Sequence, residues 1–403
     1  MKKKRKLRKS RILLLVFIII LLSIVYLALN NKKPSSNNNN NTNTNTNEFI
    51  NKEQEYKLSL VMVGDALIHD AIYKEANKNA NYNGYDFKPM LRYMKEIIPN
   101  YDLAYYNGET VLGGTPYIIS GYPAFNSPQE LGRDMIDTGF NIVSLATNHV
   151  LDKGVSASLS ALDYWSTTDV YTTGSYKSNY DKENIKIKEK NNITYAVLNY
   201  TYGTNGIKRP EGYDYVVNIW DMSNKASYEA YKKEVEKDID SIRDKVDLLI
   251  VAMHWGIEYN YDVTEYQKDA AKFLSSKNVD IIIGTHPHVV EPITYIDNTL
   301  VIYSLGNFIS THQINNIGNK IGLMTSIDVT KKVLNNNTSI TLSNLNNELL
   351  YTYHNNYKDI VVVPFSNKDI YKYLDNANDI YNKYKNIVTK LDNNIKVNPI
   401  YSS

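Results

Sequence analysis

The sequence predicts an α/β domain whose chemistry sits at the carboxyl ends of its strands, and three observations predict it. From Leu58 onward short apolar runs alternate with amphipathic helical patterns. Five of those runs end in a short polar cluster: Gly64-Asp65 after Leu58 to Val63, Asn107-Gly108-Glu109 after Leu103 to Tyr106, Asn148-His149 after Ile142 to Ala146, His254-Trp255-Gly256 after Val246 to Met253, and Gly284-Thr285-His286-Pro287-His288 after Ile281 to Ile283. Of the seven histidines, His69, His149, His254, His286 and His288 fall inside or just after these clusters, with His312 and His354 elsewhere. In an open α/β sheet the loops at the carboxyl ends of neighbouring strands converge on one crevice, so the five clusters can share one site.

The chain of 403 residues opens with eight positive charges, Lys2, Lys3, Lys4, Arg5, Lys6, Arg8, Lys9 and Arg11, which account for its formal net charge of +2 and leave the rest slightly acidic. A basic nucleic-acid surface is therefore not indicated. Residues 1–11 read as a basic cytoplasmic tail and Ile12 to Leu29 as a transmembrane anchor, since this apolar stretch carries polar side-chain atoms only at Ser23 and Tyr26 and crosses most of a ~30 Å hydrocarbon layer as a helix. The positive-inside rule puts the amino terminus in the cytoplasm and the body outside the membrane. A cleaved secretory signal is the competing reading; the long apolar core and the absence of an Ala-x-Ala site favour the anchor. Residues 30–53, rich in Asn and Thr, are expected to be a disordered polar linker with a typical reach of ~27 Å.

The body then divides into 54–330, which carries the clusters, and 331–403, whose strands and terminal helix complete the domain. Its 43% hydrophobic content supports a core. Helical patterns cover Pro128 to Thr138, with Leu131, Met135 and Ile136 on one face and Gly139 as the stop, then Ser223 to Lys245 and Val263 to Lys277. Strands are expected at Asn141 to Leu145, Val246 to Met253, Val279 to Ile283 and Leu300 to Leu305. Further strands are expected at Ile321 to Val329, Ser339 to Leu342 and Ile360 to Val363, separated by Asn-rich turns. Asn367 to Leu391 reads as one helix burying Ile370, Tyr373, Leu374, Ala377, Ile380 and Tyr381. Neither a Walker A sequence nor a G-x-G-x-x-G turn is present.

Asp, Glu, Asn and imidazole together make a hard-to-borderline ligand set suited to one or two ions of Mn, Fe or Zn, and less to Ca. With no cysteine, any centre is built from N and O donors alone, and Cys nucleophiles are excluded. A lone strand-end His is as often a hydrogen-bonded structural residue as a ligand; it is the coincidence of five that points to a centre.

The ordered boxes Val63-Gly64-Asp65, Asn107-Gly108-Glu109-Thr110, Ala146 to Gly154 with Asn148-His149-Val150-Leu151-Asp152, His254-Trp255-Gly256-Ile257-Glu258-Tyr259, Gly284 to His288, and Tyr303-Ser304-Leu305-Gly306-Asn307-Phe308 resemble the capsule-synthesis CapA family, also called the poly-γ-glutamate synthesis family. That family in turn is similar to the calcineurin-type metallophosphoesterases. The resemblance implies a four-layer α/β/β/α sandwich following the transmembrane helix and linker. It implies Asp65, Glu109 (bridging), Asn148, His254, His286 and His288 as metal ligands, and His149 as the acid that protonates the leaving oxygen. Trp255, Glu258, Ser304 and Asn307 from the same boxes are expected at the substrate. Two departures stand out: Asp65-Ala66-Leu67 replaces Asp-x-His, and Asn107-Gly108-Glu109 replaces Gly-Asp-x-x-Asp, so one ion lacks a full ligand set unless His69 substitutes from a helical turn.

The expected function is that of a membrane-anchored extracytoplasmic protein of capsule or surface-polymer biosynthesis, with a metal-dependent hydrolase or transferase site. Such ions make hydroxide available near neutral pH and neutralise charge on a phosphoryl or acyl oxygen. Asp152 either orients His149 or caps the helix from Gly154 to Trp165. The alternative is a non-catalytic subunit that holds an anionic polymer leaving a membrane synthase or export complex, which the incomplete first two motifs favour. Nutrient scavenging by a secreted phosphatase or nuclease is a third and weaker reading.

Overall fold

A computed structural model describes residues 53–312, 316–335 and 337–402. The basic tail, the expected spanning helix and the linker up to residue 52 lie outside these, and among the described residues no helix is long and apolar enough to cross a membrane. The strands, in chain order, are β1 (Gln54–Ala66), β2 (Leu103–Asn107), β3 (Ile142–Ser144), β4 (Tyr171–Thr173), β5 (Lys188–Lys190), β6 (Ile193–Thr201), β7 (Leu248–His254), β8 (Ile281–Thr285), β9 (Ile293–Ile296), β10 (Thr299–Ile302), β11 (Asn307–Ile309), β12 (Ile321–Leu334), β13 (Asn337–Asn355) and β14 (Lys358–Pro364).

They build a mixed α/β fold with two sheets. The first runs β14-β13-β12-β1-β2-β3-β4, with β11 added in parallel to β1, and the second runs β5-β6-β7-β8-β10-β9. From β1 to β4, and again through β6, β7, β8 and β10, neighbours are parallel. Parallel neighbours need long crossovers, several of them made here by the helices Asp70–Asn79, Glu130–Thr138, Gly154–Trp165, Lys225–Ile242 and Glu265–Ser276.

The period-two alternation of side chains sets what packs on what. Leu58, Leu60 and Met62 of β1 share one core with Ile250 and Ala252 of β7 and Ile281 and Ile283 of β8. Their neighbours Val61 and Val63 turn the other way, onto Ile72, Ala76 and Met135 of two helices. Leu249, Val251 and Met253 of β7 likewise pack on Val235, Ile239, Ala270 and Leu274. Each fully buried aliphatic side chain contributes about 1.5–3 kcal/mol, which fixes strand register and hence the direction of every residue at the strand ends.

Gly64 shows how tightly those ends are drawn together: a Cβ there would collide with Gly306 O, and Asp65 N donates to that same oxygen at 2.9 Å. Gly139 closes its helix in the left-handed conformation at φ 118°.

Several expectations need correction. Ile136 is a third exposed and does not join Leu131 and Met135 in the core. The terminal helix is two helices, Ile370–Tyr373 and Ala377–Val388, because Leu374 turns extended and Asp375 and Asn376 compete with helical backbone hydrogen bonds. The region 343–348 is not a turn but the middle of β13; Asn347 is buried there, its amide spanning Thr325 Oγ1 and Lys396 O. Strands β4, β5, β6 and β9 are additional to those expected, and Asn307–Ile309 form a further short strand.

The helix Glu265–Ser276 begins with a capping box, Thr264 with Gln267, and Gln267 Nε2 also donates to Glu291 Oε2 at 2.7 Å. Glu291 is fully buried and its other oxygen has no partner; burial pushes this carboxyl up to about 8. The folded state therefore holds the proton more tightly than the unfolded chain, and the stability this gives is present below the ordinary carboxylate range and lost as pH rises through about 8. Glu291→Gln should raise the melting temperature above that of wild type at pH ~9 and match it near pH ~5, as read by thermal melts across pH.

Candidate metal centre

The strand ends deliver the expected residues to one place. Asp65 ends β1 in register with Asn107 of β2 and with Asn307 of β11, and His254 ends β7 in register with Thr285 of β8. Glu109 belongs to two potential donor groups, Glu109–His286–His288 and Asp65–Glu109–His254, each with ligand atoms within 4.8 Å of one another. Asp65, Glu109, Asn148, His254, His286 and His288 are all buried.

The contacts among them are close. His254 Nε2 lies 2.9 Å from Asn148 Oδ1 and 3.3 Å from Glu109 Oε1. His288 Nδ1 lies 3.3 Å from Asp65 Oδ2, and His288 Nε2 lies 3.7 Å from Glu109 Oε1. Asn107 donates its amide to Asp65 Oδ1 at 2.8 Å while its own oxygen takes Ser144 Oγ at 2.6 Å. Asp65 Oδ2 accepts from the His286 backbone at 3.2 Å. Both imidazoles of the His-Pro-His turn sit on left-handed backbone, His286 at φ 96° and His288 at φ 57°, a conformation non-glycine residues adopt at a cost and which clusters at functional sites.

The donor set fits a divalent ion. Both Glu109 oxygens and His286 Nδ1 are buried with no hydrogen-bond partner; each such orphan costs about 1–3 kcal/mol, which a cation between them would relieve. Burial, then the Asp65 carboxylate, pushes Glu109 well above the carboxylate range. Burial lowers His254 to about 3 and His286 well below its ordinary value, so both rings are neutral, the form that ligates.

His149 stands beside this cluster. Its Nδ1 lies 2.7 Å from Asp152 Oδ2, and that carboxylate oxygen also accepts from Phe125 N at 2.7 Å. The helix Gly154–Trp165 has Lys153 as its N-cap, with no side-chain cap bond, so Asp152 orients His149 and does not cap. His69 remains in extended backbone just before the helix Asp70–Asn79, with its Nδ1 at 3.3 Å from Leu67 O and from Ser310 Oγ. It does not supply the missing ligand beside Asp65.

The four residues expected at the substrate diverge. Trp255 is fully buried and donates its Nε1–H to Tyr303 O at 2.9 Å, and Ser304 is buried with its Oγ donating to Val289 O at 2.8 Å; both are committed to packing and turn structure. Asn307 serves His288, its Oδ1 at 3.0 Å from the ring and its amide on the backbone oxygens of His288 and Asn319. Glu258 alone is exposed, near enough to raise Glu109 further by its charge. The sequence reading missed Asn107 as the bridge between Asp65 and His254 Nδ1. It also missed His312, whose ring centroid lies 4.9 Å from His288; its place four residues after Phe308 was the available signal. Tyr202, with its ring centroid 4.5 Å from His286, follows β6, a strand the pattern had not disclosed.

Capsule biosynthesis protein CapA of Bacillus anthracis is 24% identical over 273 residues, 64% of this chain and 61% of that one. PGA biosynthesis protein CapA of Bacillus subtilis (strain 168) is 29% identical over 185 residues, 43% of each chain. The matched region is thus less than two thirds of either relative. TT1561 of Thermus thermophilus is 7% identical, with 70% of this chain and 97% of that chain covered at a TM-score of 0.34, a likeness too slight to define a shared fold. The profile of the bacterial capsule synthesis protein PGA_cap family matches residues 59–312, a span that contains every residue of the centre, and the chain belongs to that family.

Proposed function

We propose that this protein is a membrane-anchored, extracytoplasmic hydrolase or transferase of the calcineurin-type metallophosphoesterase architecture, a four-layer α/β/β/α sandwich. It acts on an anionic surface polymer of the poly-γ-glutamate kind or on its precursor, alongside membrane synthase or export subunits. The observation that carries the reading is Glu109, a buried carboxylate with no hydrogen-bond partner, common to both donor groups. One or two ions of Mn, Fe or Zn held by Asp65, Glu109, Asn148, His254, His286 and His288 would supply a more acidic water and charge neutralisation at the reacting oxygen. The chain's own part is orientation and proton transfer: Asp152 holds His149 through Nδ1, leaving Nε2 to protonate the leaving oxygen. Purified residues 48–403 should turn over bis(p-nitrophenyl) phosphate, lose that activity to a chelator and regain it with metal.

A second reading is favoured by Asn107, an amide in register with Asp65 that adds no negative charge to the centre. On that reading the pocket holds the polymer without reacting. Absence of turnover combined with tight polymer binding would decide for it.

The anchoring has its own test. Protease added to intact cells freed of wall should release a soluble fragment cut within residues 30–53, because the basic run lies on the amino side of residues 12–29 and the linker has nothing to bury. Full protection of the body would reverse the orientation.

A further inference from the structure

We infer that an extended chain of carboxylates lies across the centre through two grooves, so that the protein engages the interior of a polymer and not its end. The inference rests on the anionic-polymer reading above. One groove, about 1030 Å³, starts at His69 and is lined by Tyr73, Tyr82, Tyr85, Tyr122, Lys78 and Lys358. The other, about 1020 Å³, starts at Tyr202 and Asn205 and is lined by Lys208, Tyr231, Asp214, Asp221 and Arg209, the last donating to the Asp214 and Val217 backbone oxygens.

Two files of side chains join the grooves past the donor cluster. On one side ring centroids step from His69 to His312 at 4.6 Å, to His288 at 4.9 Å, to His286 at 5.8 Å and to Tyr202 at 4.5 Å. On the other they step from His69 to Phe125 at 5.2 Å and to His149 at 4.6 Å, whose Nδ1 is 3.3 Å from the Asn205 amide. A site for a chain end needs a groove on one side only; here His69 lines one groove, Tyr202 and Asn205 line the other, and the donor histidines come between them in these contacts.

The lining suits repeating carboxylates on an amide backbone. Tyr82 and Tyr122 leave 76% and 72% of their surface exposed, flat faces on which a backbone can lie. Tyr82 is also held in left-handed backbone at φ 62°, a cost tolerated where a side chain must be presented. Lys78, Lys358 and Lys208 are exposed and offer ammonium groups to the carboxylates. Of the acids in the first groove, Asp70 is engaged by Lys74 at 2.8 Å, and Glu75 accepts from Ile360 N at 2.9 Å through one oxygen while the other is buried without a partner.

The test uses the full chain in detergent and fluorescein-labelled γ-linked glutamate chains of two lengths, one confined to the centre and one long enough to enter both grooves. The long chain should bind about tenfold more tightly or better. Tyr82→Ala with Tyr122→Ala in one groove, and separately Lys208→Glu in the other, should each weaken the long chain by about 3–10-fold. Neither should change binding of the short chain or turnover of bis(p-nitrophenyl) phosphate. Equal affinity for both lengths, an effect confined to one groove, or no binding at any length overturns the inference. Groove-dependent binding without phosphodiester turnover sustains it while removing the catalytic reading.

Discussion

Loss of both imidazoles of the His-Pro-His turn, His286→Ala with His288→Ala, is expected to abolish metal binding at the Glu109–His286–His288 group while leaving the circular dichroism spectrum unchanged. The two rings supply two of the three donors in one group, leaving Glu109 without them. Affinity should fall by more than the roughly 10–100-fold that follows loss of a mere supporting partner. The fold should survive, because the bond from the His286 backbone to Asp65 Oδ2 does not involve the ring and alanine fits within the same space without a new polar group. Glu109→Gln is the companion variant, near-isosteric and without the charge, and should lose metal from both groups. Unchanged metal content by mass spectrometry in these variants, or none in the wild-type protein, would remove the centre from the account.

His149→Ala should do the opposite: keep the metal and lose activity by on the order of 10²–10⁴-fold. The ring is fixed from behind by Asp152 and lies in neither donor group, so its removal leaves the ligand set whole. Asn148→Ala should weaken both properties, since its oxygen is 2.9 Å from His254 Nε2. In cells, loss of capsule with normal protein level and metal in the His149→Ala strain would support catalysis. Wild-type capsule in that strain would turn the proposal toward the polymer-holding role.

The parts of this structure legible in the sequence are those where one local rule acts alone. Leu58 to Val63 and Val246 to Met253 are apolar runs that end in polar residues, and they form β1 and β7 with Asp65 and His254 at their ends. Glu265–Ser276 falls within the helical pattern Val263 to Lys277, whose apolar residues recur at helical spacing. What stayed hidden depends on distant partners. The strand β6 carries Asn199, whose amide oxygen takes Ala146 N at 2.6 Å, an interaction across 53 residues that no window can see. Asn344, Asn346 and Asn347 resemble turn residues until β12 supplies the opposite ladder. At the site, the pattern identified which residues converge but not their division of labour. Trp255 and Ser304 share boxes with reactive neighbours, yet their polar atoms are spent on Tyr303 O and Val289 O.

The left-handed backbone at His286 and His288, together with a buried Glu109 whose oxygens have no hydrogen-bond partner, makes this corner of the molecule locally frustrated: chain conformation and burial both oppose what the residues there are asked to do. Such conflict is tolerated when a ligand resolves it, and whatever binds the folded form alone shifts the folding equilibrium toward it. The proposed ion would then be a determinant of how long the chain persists as well as of what it does.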